Sequence, residues 1–187
     1  MDIEELKESR RRLDRYLKRY DGCCRTRPGR ANFRRYVRGQ LSDLERKNVE
    51  QIALHQGVAP RTLQEYMEVG VWDEEAARRR LIRMLMRDHP DENAIGVVGE
   101  TGNPKKGDKT AGVSRQYCGA TGKVDNCVVT VNLAYATEDF HSLAASDVFL
   151  PEETWARDEA RREEAGIPSD LVYRPKHEIA VAQTSTH

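Results

Sequence analysis

Apolar residues recur at helical intervals through the first ninety positions and in strand-like runs after them. Ile3, Leu6, Leu13, Leu17 and Tyr20 share one side of a helix over residues 2–20, ended by Asp21-Gly22. Pro28-Gly29 leads into a second helix from Ala31 to Arg38, with Phe33, Tyr36 and Val37 on one face and Gly39 as its stop. Ser42-Asp43-Leu44-Glu45 has the form of a capping box, which predicts a third helix from Asp43 to His55, closed by Gly57. Pro60 suits the first turn of a fourth helix reaching Met67. Asp73 caps a fifth, Glu74 to Arg87, whose Ala77, Leu81, Met84 and Leu85 form the core side. The short turn at Gly57 admits a helix-turn-helix, a form that other small bundles share.

Asp88-His89-Pro90-Asp91-Glu92-Asn93 is a polar boundary, and the periodicity changes beyond it. Ile95-Gly96-Val97-Val98 reads as a strand that stops at Glu100-Thr101-Gly102, followed by a lysine-bearing loop, Asn103 to Gly107. Ala111 to Tyr117 and the valine-rich Val124 to Tyr135 are further strands, with Gly119 and Gly122 turning the chain between them. A fourth strand is expected around Ala144 to Leu150. An acidic helical segment from Pro151 follows, with Trp155, Ala156 and Ala160 on one face and Ile167-Pro168 as its break. Leu171-Val172-Tyr173 is extended, and Pro175 starts a last helix, Lys176 to Gln183. The pattern is that of an α+β chain: a helical domain over residues 1–90 and a sheet-bearing domain over 91–187.

Charge changes this picture more than composition does. The 31 basic and 31 acidic residues cancel, but they are unevenly spread. Between Arg10 and Arg38 stand twelve lysines and arginines opposed only by Asp14 and Asp21, whereas Glu138 to Asp170 is mostly acidic. Such asymmetry fits a nucleic-acid partner for the basic segment, and it equally fits a solvated helix face. No apolar run approaches the roughly 20 residues that span a bilayer. The Met1-Asp2-Ile3-Glu4-Glu5 start lacks a basic, apolar leader, so no membrane partner and a cytoplasmic location are expected.

Several chemistries are excluded by spacing. Cys23, Cys24, Cys118 and Cys127 follow neither a disulfide framework nor a zinc-ligand pattern, and the five histidines are scattered. Gly102-Asn-Pro-Lys-Lys-Gly107 is no phosphate loop: Asp108-Lys109 stands where Lys-[Ser/Thr] is required. Ser114 and Ser142 have no base in any recognisable arrangement. Glu100, at the end of the first strand, is well placed to hold a hard metal ion, though an ordinary charged hairpin is the plainer reading; Asp125, Asp139 and Asp147 have no spacing that marks them as ligands.

The stretch Glu100-Thr101-Gly102, Pro104-Lys105-Lys106-Gly107, Gly112-Val113, Arg115-Gln116-Tyr117, Gly119, Gly122-Lys123 and Asn126-Cys127 resembles the DDE-superfamily insertion-sequence transposases. In that family the first strand ends in D-[D/E]-T-G-F-P-K-K-G, and an R-Q-Y-x-G motif follows. The resemblance extends from about residue 30 to 182. It implies an N-terminal helical region that engages transposon-end DNA, then a partial RNase H-like domain with a mixed β-sheet. It also implies Mg2+ or Mn2+ held by carboxylates, two ions serving the attacking and leaving oxygens.

Two departures set the expectation. Gly99 stands where the family has its first Asp, and Asn103 where it has Phe. The family's second Asp and its Glu lie beyond the segment matching Pro175–Gln183, so the chain is expected to be truncated, with a polar Thr184–His187 tail. Glu100 is the weak candidate for catalysis and for a metal, because neighbours on a strand point to opposite faces. No stably bound metal is expected. Arg34, Arg35, Arg38, Arg46, Lys47, Lys105, Lys106 and Arg115 are the candidate DNA contacts. The expected function is that of a transposase-derived DNA-binding protein, catalytically incompetent alone. The alternatives are a regulator that assembles with itself or with full-length transposase, and an endonuclease that completes its site in trans.

Overall fold

A computed structural model describes residues 2–185; Met1 and the Thr186 and His187 of the expected tail lie outside the described residues. The chain divides into two units, Met1–Arg80 and Leu81–His187, with the division inside one helix.

The first unit opens with α1 (Ile3–Lys18), capped by a true box: Asp2 accepts from the Glu5 amide and the Glu5 carboxylate accepts from the Asp2 amide. Only the far end of α1 is anchored. Leu17 and Tyr20 are buried, whereas Ile3 and Leu6, expected on the inner face, are exposed. α2 (Arg27–Gln40) begins earlier and ends later than its pattern suggests. Thr26 caps it, Pro28 occupies its first turn where no N–H is needed, and Gly39 lies inside it rather than ending it.

The capping box assigned to the third helix is not used as one. Ser42 turns back to donate to the Gly39 carbonyl (2.7 Å), and α3 (Val49–His55) starts late, capped by Asn48 through the Gln51 amide (2.8 Å). Gly57, in the left-handed region at φ 69°, then turns the chain into α4 (Pro60–Val69). Ile52, Ala53 and Leu63 form the fully buried centre between these helices, flanked by Tyr36, Leu44, Val49 and Val58.

α5 (Glu74–Asp88) begins with Asp73 accepting from the Ala76 amide. Its Ile82 and Leu85 pack on the sheet of the second unit beside Leu133, Tyr135, Ala144 and Ala145. The sheet is built on β3 (Lys123–Ala136). β1 (Ile95–Pro104) pairs with the whole of one edge of β3, while β2 (Ser114–Cys118) and β4 (His141–Val148) share the other. All three ladders are antiparallel. β1 does not stop at Gly102 but runs on to Pro104, where Gly102 lies against Cys118 with no room for a Cβ. β2 is shorter than the Ala111–Tyr117 expectation, because Ala111 to Val113 form a turn beneath Trp155.

The acidic helical segment is two pieces: a wide turn at Glu152–Ala156 and α6 (Glu159–Glu164). Trp155 is completely buried with Val113 and Val128, and its indole N–H donates to the Val113 carbonyl (2.7 Å). α7 (Lys176–Thr184) ends the described chain and lies over β3. Together these elements make an α+β protein with helices first and a partial RNase H-like sheet after them. Among the described residues no helix is long and apolar enough to cross a membrane.

Two substitutions test this packing. Gly39→Ala should raise helix propensity by up to ~1 kcal/mol, but the new Cβ would sit 2.3 Å from Ile52 Cγ2 in the closed centre. Overpacking of about 1–3 kcal/mol should prevail, giving a lower urea midpoint; a raised midpoint would refute the close approach. Trp155→Phe leaves the Val113 carbonyl unpaired and should lower stability by about 1–3 kcal/mol, measured the same way.

Candidate functional site

The register of β1 on β3 decides which way each candidate side chain faces. Pairing runs unbroken from Ile95 opposite Ala136 to Pro104 opposite Cys127, with Gly99 opposite Asn132 and Glu100 opposite Val131. The one irregularity in the sheet falls between Leu133 and Ala134 on the β4 side of β3. No slip or bulge in β1 therefore turns Glu100 to the face on which a residue at position 99 would stand.

Glu100 shares its face with Val131 and Asp147, the face on which α7 lies. The helix holds both acids. At its start Lys176 Nζ donates to Glu100 Oε2 (2.6 Å), and Lys176 also approaches the Phe149 ring (5.2 Å). Near its end the Gln183 amide donates to Asp147 Oδ2 (2.7 Å) and to the Val131 carbonyl (2.9 Å). Glu100 is thus neutralised by a cation on the next layer of the fold, a pair worth about 0–1 kcal/mol at this exposure.

The opposite face carries a neutral polar row beneath Gly99. Ser146 donates to Asn132 Oδ1 (2.7 Å), and Asn132 Nδ2 donates to Thr101 Oγ1 (3.0 Å). A Cβ on Gly99 would meet nothing within 4 Å, and its φ lies outside the left-handed region. Room for a carboxylate exists at this position, but the chain supplies none. Among the described residues no three His, Cys, Asp or Glu side chains converge as metal ligands. The residues present do not fit a two-metal site: one strand position offers a glycine, and its acidic neighbour faces the other way and is held by a lysine.

The candidate DNA contacts fall into two groups. In the first unit, Arg34 is paired with Asp21 (2.5 Å) and Arg38 with Asp14, while Arg35 donates to Asn32 Oδ1 (2.8 Å). The Arg34 and Arg38 guanidiniums are about one-third exposed and tie α1 and the turn after it to α2. Arg46 and Lys47, just before α3, are exposed and have no bonded partner among the described residues.

In the second unit, Asn126 gathers the other group. Its Nδ2 donates to the carbonyls of Lys105 (2.8 Å) and Gly107 (2.9 Å), and its carbonyl accepts from the Lys105 amide (2.8 Å). This fixes the loop that presents Lys105 and Lys106. Arg115 lies directly opposite Asn126 on β2, so these three cations are brought to one end of the sheet. Lys109 is diverted to Glu164 (2.9 Å), whose carboxylate raises the lysine pKa. Sequence reasoning missed the roles of Lys176 and Gln183; they lie 76 and 36 positions from the acids they hold, and no local spacing marks such pairs.

Gly99→Asp should be accommodated with a stability change within about ±0.5 kcal/mol, read from thermal or urea unfolding. A loss of several kcal/mol would show that the space over Gly99 is not open.

The chain matches the model of the DDE superfamily endonuclease family over residues 19–186. It is 35% identical over 96 residues to a probable transposase for insertion sequence element IS701 from Microchaete diplosiphon. That alignment takes in 51% of this chain and 25% of the relative, so the chain spans well under two-thirds of the curated protein it matches. No solved structure gives a significant match. With nine-tenths of its length under the family model, the chain belongs to the DDE superfamily endonucleases and is similar to insertion-sequence transposases.

Proposed function

We propose that this chain is a transposase-derived DNA-binding protein that engages transposon-end DNA and does not by itself cleave it. The observation that carries the proposal is the pleat: position 99 holds a glycine on one face, and Glu100 is on the other with Lys176. Divalent-metal phosphodiester chemistry needs several oxygen ligands converging on one point. Here Glu100 and Asp147 are bonded by side chains of α7, and the row beneath Gly99 is made of neutral amides and hydroxyls.

DNA affinity then rests on cations without a stable internal partner. Lys105, Lys106 and Arg115 present one such cluster, and Arg46 and Lys47 another. Arg34 and Arg38, about one-third exposed and tied to Asp21 and Asp14, support the surface from within, as does Arg35 through Asn32. In this reading the protein acts in the cytoplasm, where its DNA is.

A second reading, regulation of transposition by mixed assembly with a full-length transposase or another copy, is favoured by the outer edge of β1. Among the described residues no strand pairs with that edge, and Ile95, Val97 and Val98 are exposed beside it. A further strand, from whatever chain, would satisfy that edge.

Binding to duplex DNA carrying a cognate end should weaken steeply between 50 and 200 mM salt, values taken as about the usual range for such titrations. It should survive chelation of divalent ions, and neither Mg2+ nor Mn2+ should produce a nick. Cleavage by the chain alone would refute the incompetence argument. Absence of any DNA association would remove the binding function itself.

A further inference from the structure

Resting on the DNA-binding reading, we propose that α4 is a recognition helix for the major groove, and that Arg61 and Gln64 read base edges there. Three observations meet in this helix. The first is its setting. α3, the left-handed turn at Gly57 and α4 close on a shared buried centre, Ile52, Ala53 and Leu63, with α2 packed behind. Two helices joined by the short Gln56–Ala59 turn and closed on one core fit the helix-turn-helix form, in which the second helix offers its N-terminal residues to the bases.

The second is the free face. Leu63 is wholly buried, so the residues flanking it in the helical repeat, Arg61, Gln64, Glu65 and Glu68, face outward and are exposed. The third is bonding capacity. Arg61 Nε donates to Glu65 Oε1 (2.8 Å), which orients the guanidinium and leaves its two terminal amino groups without a bonded partner among the described residues. Those groups form the fork that grips guanine O6 and N7. Gln64, one turn on, has no bonded partner among the described residues, and its amide matches adenine N6 and N7.

Charge sets the direction of docking. Glu65 and Glu68 repel phosphates from the rear of the exposed face, so the N-terminal turn bearing Arg61 leads into the groove. Arg46 and Lys47, ahead of α3, supply cations for the flanking backbone. Backbone contacts fix the register of a protein on the duplex, whereas edge contacts confer preference. The Pro60 ring removes an N–H at the helix start, where none is needed, and leaves the side chains to do the reading.

The test is selection from a randomised duplex library with the full chain, followed by titration of the selected duplex and a scrambled one. Arg61→Ala and Gln64→Ala should each abolish preference at one base pair and weaken the selected duplex about tenfold, while the scrambled duplex binds within about twofold. Circular dichroism checks that the exposed-site variants remain folded. Arg46→Ala should instead weaken both duplexes alike and lower the salt slope by about one. Selected preferences unchanged in both α4 variants, or no selected preference in the parent, would overturn the recognition role and leave DNA binding standing. No binding to any duplex by the parent would overturn both.

Discussion

The alternation of side chains across the pairing of β1 with β3 is the constraint on which the functional reading depends. Successive residues of a strand face opposite sides, and the ladder from Ile95 to Pro104 has no defect that would change the parity. One position therefore separates two environments. Gly99 lies over a row of neutral polar groups; Glu100 lies beside Val131 and is bonded to a lysine of α7. An acid at the second position does not stand in for one at the first, however close in sequence. The short distance along the chain conceals a change of face.

α7 makes that separation durable. Lys176 at one end and Gln183 at the other hold Glu100 and Asp147, two acids in line across three strands. Each bond is modest, but the helix also buries Ile179, so apolar packing keeps the polar contacts in register. The helical unit uses charge in a comparable way. Asp14 and Asp21, the only acids within its most basic stretch, meet Arg38 and Arg34 and join α1 and the turn after it to α2. Arginine suits this role because part of its fork can bond while its stem packs. A run of basic residues is therefore not a uniform DNA-facing surface; some of its members are structural.

The elements were readable wherever apolar spacing was regular, as in α4, α5 and the long valine-rich strand. They were misread where one residue served two ends. Ser42 has the sequence form of a helix start, but its hydroxyl is used by the carbonyl left free at the end of α2. Gly39 resembles a stop, yet its lack of a side chain is needed for Ile52 to approach. Glu100-Thr101-Gly102 looked like a strand end, because glycine and charge weaken a local strand signal. The partner strand supplies a ladder that carries β1 past them. That position 99 is a glycine and position 100 a glutamate is read from the sequence directly. The lysine that neutralises Glu100 is not, because that contact joins residues 76 apart.

The same distinction between local and distant partners orders the candidate DNA contacts. Arg34 and Arg38 bond to acids 13 and 24 positions earlier, so their sequence neighbourhood suggests a free charge where the fold has a brace. Arg61 bonds within its own helix through Nε alone, and Gln64 beside it is exposed. The two classes differ in what DNA must displace. A phosphate competing for Arg38 would have to break a half-buried ion pair and leave Asp14 without it. A guanine approaching Arg61 meets a fork already oriented and still open. On the proposed reading, then, exposure left after folding is a better guide to base recognition than proximity to the richest run of arginines.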